Sequence, residues 1–140
     1  MGKKQGKSRV SRCCVPQQQM MTWHDHVDPE HPSVVALDEW LASLPAFARA
    51  HEEGEIDALF EAAAYGELWE SADASTPIKP IHYHPDVYEL RRKALKKALR
   101  FYHGEPEKYP RHLIKLHRHI KTSAKLQQIE IEYAANRYEG

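Results

Sequence analysis

The chain has two cysteines, no long apolar run, and no acidic residue in its first 21 positions. Cys13 and Cys14 are adjacent, a spacing that suits neither a disulfide framework nor the paired ligands of a zinc site, so they are expected to be tail thiols without a role. No apolar stretch approaches the roughly 20 residues needed to span a bilayer. The lysine-rich start is not followed by an apolar secretory segment. No membrane partner is expected, and the expected location is the cytoplasm. Residues 22–84 in turn are nearly free of base, with Arg49 and Lys79 alone.

What is present is charge, sorted along the chain. The formal net charge is zero, yet residues 1–21 carry Lys3, Lys4, Lys7, Arg9 and Arg12, residues 22–84 carry 13 acids, and residues 85–140 carry 13 Lys/Arg against 7 acids. Such asymmetry points to an anionic partner, or to acidic and basic faces that neutralise each other across an oligomer. A length of 140 residues fits one domain. Residues 1–21 are expected to form a flexible basic tail, with Met20 and Met21 just before the folded part, and residues 22–140 a single domain.

The first expected helix starts at Ser33, a good N-cap after Pro32. Val34, Leu37, Leu41 and Leu44 then repeat at helical steps until Pro45. A second helix follows, with Phe47, Ile56, Leu59, Phe60 and Ala63 directed to the core, and Gly66 is its expected stop. Its acids Glu52, Glu53, Glu55, Asp57 and Glu61 are expected to form a solvated face. The stretch 71–86, rich in Ser, Asp, Thr and Pro, reads as a connecting loop that touches a sheet edge. At the end of the chain, Thr122 or Ser123 caps a helix. Leu126, Ile129, Tyr133, Ala134 and Tyr138 form its apolar stripe, and Glu130 and Arg137 face outward.

The region 87–103 carries two conflicting signals. Leu90, Ala94, Leu95, Ala98 and Leu99 among Arg and Lys satisfy a helical period, whereas Val87-Tyr88 and Phe101-Tyr102 are strand formers at its two ends. Gly104, Pro106 and Pro110 bound a turn, and 112–121 alternates in part. The adjacent Leu113 and Ile114 leave open which of the two faces the core.

Four pieces of the chain resemble a known family in order and spacing. They are the run Asp38-Glu39-Trp40-Leu41-Ala42-Ser43-Leu44-Pro45 in the segment Val35 to Pro45; Tyr88-Glu89-Leu90-Arg91; Arg100-Phe101-Tyr102 nine positions later; and Leu116-His117 followed by Lys121-Thr122. Over roughly residues 33–140 the chain resembles the RelE/HigB superfamily of bacterial toxins, and most closely its phage-derived HigB-like branch. The resemblance implies an α+β, RelE-like fold: a small antiparallel sheet with two N-terminal helices and one C-terminal helix. It makes 87–103 a strand pair with its turn near Ala94–Lys97. Three departures stand out. Met21–His31 offers no convincing counterpart of the family's initial strand, the turn is Ala94-Leu95-Lys96-Lys97 where glycine or polar residues are usual, and the lysines after the last strand are thinned to Lys121 and Lys125.

Arg91, Arg100, His117 and Lys121 are the expected catalytic residues. RNA cleavage by its own 2′-hydroxyl needs proton transfer and positive charge on the pentavalent phosphate. His117 is the expected proton carrier because imidazole titrates near neutrality. Arg91 and Arg100 would clamp the phosphate bidentately, with Lys121 as a point charge. The competing reading makes His117 a hydrogen-bonded structural residue and pairs Arg91 with a carboxylate of the acidic half. Lys93, Lys96, Lys97, Lys115, Arg118 and Lys125 are expected to attract RNA phosphates, and Tyr102 to stack on a base. The histidine pairs 24/26, 82/84 and 117/119 have no acidic or thiolate set at recognisable spacing, so neither metal nor cofactor is expected. The resemblance implies a toxin of a type II toxin–antitoxin pair, a ribosome-dependent mRNA endoribonuclease. Its partners would be the ribosome, mRNA and a cognate helix-turn-helix antitoxin. The alternative is a catalytically inactive, phage-borne nucleic-acid or ribosome-binding module.

Overall fold

The computed structural model describes residues 10–140. Its elements in chain order are a 3-10 turn at Arg12–Cys14, β1 (Thr22–Asp25), α1 (Pro32–Ala42), α2 (Ala46–Ala64), β2 (Ile78–Pro80), β3 (Val87–Ala94), β4 (Lys97–Gly104), β5 (His112–Lys121) and α3 (Ala124–Glu139). The fold is α+β. Its five-stranded sheet has the order β1-β5-β4-β3-β2 and is mixed, because β1 runs parallel to β5 while the other neighbours are antiparallel. It is therefore larger than the antiparallel sheet expected. The segment without a convincing strand holds β1, and the loop 71–86 contains the edge strand β2. No helix among the described residues is long and apolar enough to cross a membrane.

The helix–strand conflict in 87–103 resolves as a hairpin, with Val87 opposite Gly104 and Ala94 opposite Lys97. Leu95 and Lys96 take positive φ values of 51° and 73°, the pair of left-handed residues that a two-residue hairpin turn demands. Cross-strand packing of Leu90, Leu99 and Phe101 against the α1/α2 layer outweighs both helix propensity and the cost of two non-glycine residues in that turn. On β3, Val87, Tyr88, Glu89 and Leu90 are all buried, since both faces of the sheet are covered. Coverage on both sides erases the period-two contrast that marks a half-exposed strand.

Two apolar layers result. Leu37 of α1, Ala63 and Ala64 of α2 and Cys13 pack with Leu90, Leu99 and Leu113 on one face of the sheet. Ala134, Ala135 and Ile131 of α3 pack with Tyr102, Leu116 and Ile114 on the other. Leu113 and Ile114 thus both contact core, one on each face. A bulge makes the strand serve both layers: Tyr102 pairs with His117 but His103 with Lys115, leaving Leu116 as the extra residue on β5. Gly104 is needed where it stands, because a Cβ there would lie 2.4 Å from the ring of Tyr138 on α3.

Several local expectations shift. His31, not Ser33, caps α1, its Nδ1 accepting from the Ser33 amide at 3.1 Å. Pro45 does separate the two helices, and Gly66 (φ 73°) follows the second. Phe47 lies on the solvent side of α2, 89% exposed, instead of in the core. Glu52 departs from the solvated acidic face: it is buried and accepts two hydrogen bonds from Arg92, at 2.6 and 3.1 Å. Ser123 caps α3 by accepting from the Leu126 amide. The buried residues of that helix are Gln127, Ala134 and Ala135, while Leu126 and Ile129 are exposed and Glu130 turns inward. The tail boundary at residue 21 also moves. Residues 1–9 lie outside the described residues, but Ser11, Cys13 and Met21 are buried, and the Arg12 guanidinium donates to the carbonyls of Tyr109, His112, Glu105 and Pro106.

Candidate nucleic-acid interface

The strand register places Arg91 of β3 opposite Arg100 of β4, and Arg100 opposite His119 of β5. Two residues further toward the hairpin turn, Lys93, Ala98 and Lys121 form a second row. Because side chains two apart on a strand share a face, both rows lie on the α3 side of the sheet. Lys93 is exposed, and Arg91, Arg100 and Lys121 are half-buried. Lys96 and Lys97 extend this charge, exposed, around the turn, and Lys125 is exposed at the start of α3.

The arginines are organised by one acid. Glu89, 2% exposed, accepts from Nε of Arg91 at 2.5 Å and from Nε2 of Gln127 at 2.7 Å, and it lies 3.5 Å from Nε of Arg100. The carboxylate that pairs with Arg91 therefore comes from the same strand, not from the acidic half. Arg100 also donates to the Leu99 carbonyl at 3.1 Å. Burial lowers its pKa, the charge of Glu89 opposes that, and neighbouring Arg91 adds to it.

His117 does not join the arginines. The bulge carries it under α3, where it is 1% exposed and its Nε2 lies 2.6 Å from Oε1 of Glu130. Burial drives its pKa down to about 4 despite that carboxylate. Burial also works against the charge of Glu130, but hydrogen bonds from His117 and Ser33 outweigh it and hold the carboxyl below its usual range. A histidine so placed, held by Glu130 and outside the arginine row, fits the structural reading of His117. His119, which the sequence reading passed over, is the imidazole in register with Arg100. It is 4% exposed, and its Nε2 lies 2.9 Å from the Tyr102 hydroxyl. Burial lowers its pKa as well. Tyr102 is itself 1% exposed beneath α3, so it holds His119 and cannot stack on a base.

Lys115 and Arg118 are corrected too, since they occupy the opposite face. Lys115 Nζ sits 4.6 Å from the centre of the Phe60 ring, a cation–π contact with α2. Arg118 makes a two-pronged pair with Asp38 of α1 at 3.0 and 3.1 Å. Histidines also meet acids and a thiol across the fold, where the pairs 24/26, 82/84 and 117/119 show no such set at recognisable sequence spacing. His31, His117 and Glu130 converge, as do Cys13, His103 and Glu105, each group with its ligand atoms within 4.8 Å. Apart from His103 and Glu105, which are two positions apart, their members come from separate elements, so no local spacing reveals either full set.

Comparison of the chain with protein-family models, curated proteins and solved structures gave no significant match. Functional argument therefore rests on the residues and their geometry.

Proposed function

We propose that the chain acts on RNA as a ribosome-dependent mRNA endoribonuclease, the toxin of a type II toxin–antitoxin pair of the RelE/HigB kind it resembles. The reading places it in the cytoplasm, with a small helix-turn-helix antitoxin as its silencing partner. The observation that carries it is the row Arg91–Arg100–His119, flanked by Lys93 and Lys121 on one sheet face. Two guanidiniums side by side match the oxygens of a phosphodiester bidentately, and the lysines add unspecific attraction to the flanking phosphates. His119, held by Tyr102, is the group through which a proton would move, and Arg91 and Arg100 would neutralise charge gathering on the phosphorus.

A second reading, a catalytically inactive RNA- or ribosome-binding module, is favoured by the pairing of Arg91 and Arg100 with Glu89 and by the burial of both strand histidines. Induced expression separates the two. The endonuclease reading expects growth arrest and ribosome-dependent mRNA cleavage by the wild type, reduced by about a hundredfold or more in Arg100→Ala. His119→Gln is expected to lose cleavage, while a folded His117→Gln retains it. Wild-type cleavage undiminished in Arg100→Ala contradicts the site. A wild type that binds ribosomes without cleaving leaves the binding module.

A further inference from the structure

Three side chains, one of them 90 or more positions from the other two, meet out of contact with solvent where the N-terminal segment crosses the end of β4. Cys13 of the 3-10 turn, His103 of β4 and Glu105 just beyond it are each 0% exposed. Sγ of Cys13 lies 3.6 Å from Nε2 of His103 and 3.7 Å from Oε2 of Glu105, and Nε2 and Oε2 are 2.8 Å apart. A zinc ion at its ordinary tetrahedral bond lengths sets a sulfur about 3.5 Å from a nitrogen or oxygen donor, and a nitrogen about 3.3 Å from an oxygen. Two edges of the observed triangle already have the required length, and the third needs to open by about 0.5 Å.

The chemistry of the set agrees with its size. One thiolate and one carboxylate balance a divalent cation, and the imidazole adds a neutral donor, so the loaded group would carry no net charge into a buried place. A thiolate beside an imidazole selects a borderline-soft metal over magnesium or calcium. The carboxylate is oriented from outside the triangle, its Oε1 accepting from the Arg12 amide at 3.0 Å and its Oε2 from the Ser11 hydroxyl at 2.5 Å. That hydroxyl also accepts from the Cys13 amide at 3.0 Å, so Ser11 braces two of the three donor residues.

We propose that Cys13, His103 and Glu105 form a buried binding site for a zinc-class divalent cation that ties the N-terminal segment to the end of the sheet. Binding releases the thiol proton of Cys13 and moves the imidazole proton of His103 to Nδ1, leaving Nε2 as the ligand. The cation joins residues 90 positions apart. Closing so long a loop favours the folded chain, and metal affinity is expressed as folding stability.

The full-length, untagged chain, stripped with a chelator and titrated with Co²⁺, tests this. One equivalent is expected to produce tetrahedral cobalt absorption together with a thiolate-to-cobalt charge-transfer band. Zn²⁺ should bleach both and raise the melting temperature of the apo protein. Cys13→Ser should lose the charge-transfer band and Cys14→Ser should keep it. Glu105→Gln, close in size, should weaken cobalt binding by at least about tenfold, which keeps the test open if Cys13→Ser does not fold. A folded wild type without a charge-transfer band overturns the proposal. So does cobalt absorption lacking sulfur character, which would place the ion at His31, His117 and Glu130, or a band lost in Cys14→Ser and kept in Cys13→Ser.

Discussion

The two faces of the sheet use the same residue types in opposite ways. On the α1/α2 face, the basic side chains of β3 and β5 are engaged by the acidic helices: Arg92 by Glu52 and Glu55, Arg118 by Asp38, and Lys115 by the ring of Phe60. On the α3 face, Arg91 and Arg100 share the single carboxylate of Glu89, and Lys93 and Lys121 continue the basic row. The segregation of charge along the chain thus has a split outcome. Part of the basic C-terminal half is neutralised internally by the acidic half, and another part, Arg91, Lys93, Arg100 and Lys121, lies on the α3 face with Glu89 as its buried acid.

Each face is anchored by a buried acid, and removing either should have the largest effect on folding. Glu52→Ala and Glu89→Ala each strand buried guanidinium charge and should each cost about 3 kcal/mol in denaturant unfolding. Glu52→Ala should leave the Arg91–Arg100–His119 row untouched, so RNA affinity measured on folded protein should stay at the wild-type value. A fall in affinity for that variant would mean the two faces are not separate.

Acid should destabilise the α3 side next. His117 has a folded pKa of about 4 against 6.5 when free, so the unfolded chain takes up its proton first as pH falls. Stability from this group is complete above pH 6.5 and declines between about 6.5 and 4, by about 3 kcal/mol in all. Glu130 acts in the same direction, because a carboxyl with a lowered folded pKa also loses stabilisation as pH drops. Unfolding curves across that range should show the decline, and His117→Gln should flatten it. The smallest effect belongs to the hairpin turn. Lys96→Gly relieves a left-handed φ of 73° and should raise stability by about 1 kcal/mol, read as a shift in the denaturant midpoint.

How legible the fold was depended on whether its signal was local. Pro45, Gly66 and the Ser123 cap act on their immediate neighbours and could be read directly. The hairpin 87–103 could not be, because its residues satisfy a helical period and burial on both faces hides alternation; the family resemblance supplied it. β1 offers four residues of which Trp23 alone is half-buried, so it carries no periodic pattern and exists through its parallel pairing with β5. The proposed row takes its arginines from the sequence reading, which did not single out His119. His117 and His119 share a face, and the register that sets His119 opposite Arg100 puts His117 opposite Tyr102. Cys13 was read as a tail thiol because what buries it, Ala63 and Ala64 of α2 together with His103 and Glu105, lies far along the chain.

The division between the two faces is tested most directly by the salt dependence of binding to single-stranded RNA or ribosomes. Each phosphate contact removed should lower the slope of log affinity against log salt by about 0.7 to 0.9. The account predicts that Lys93→Ala combined with Lys121→Ala flattens the slope by roughly 1.5, while Lys115→Ala combined with Arg118→Ala, in folded protein, leaves it unchanged. An unchanged slope for the first pair and a flattened one for the second would place RNA on the α1/α2 face and contradict the account.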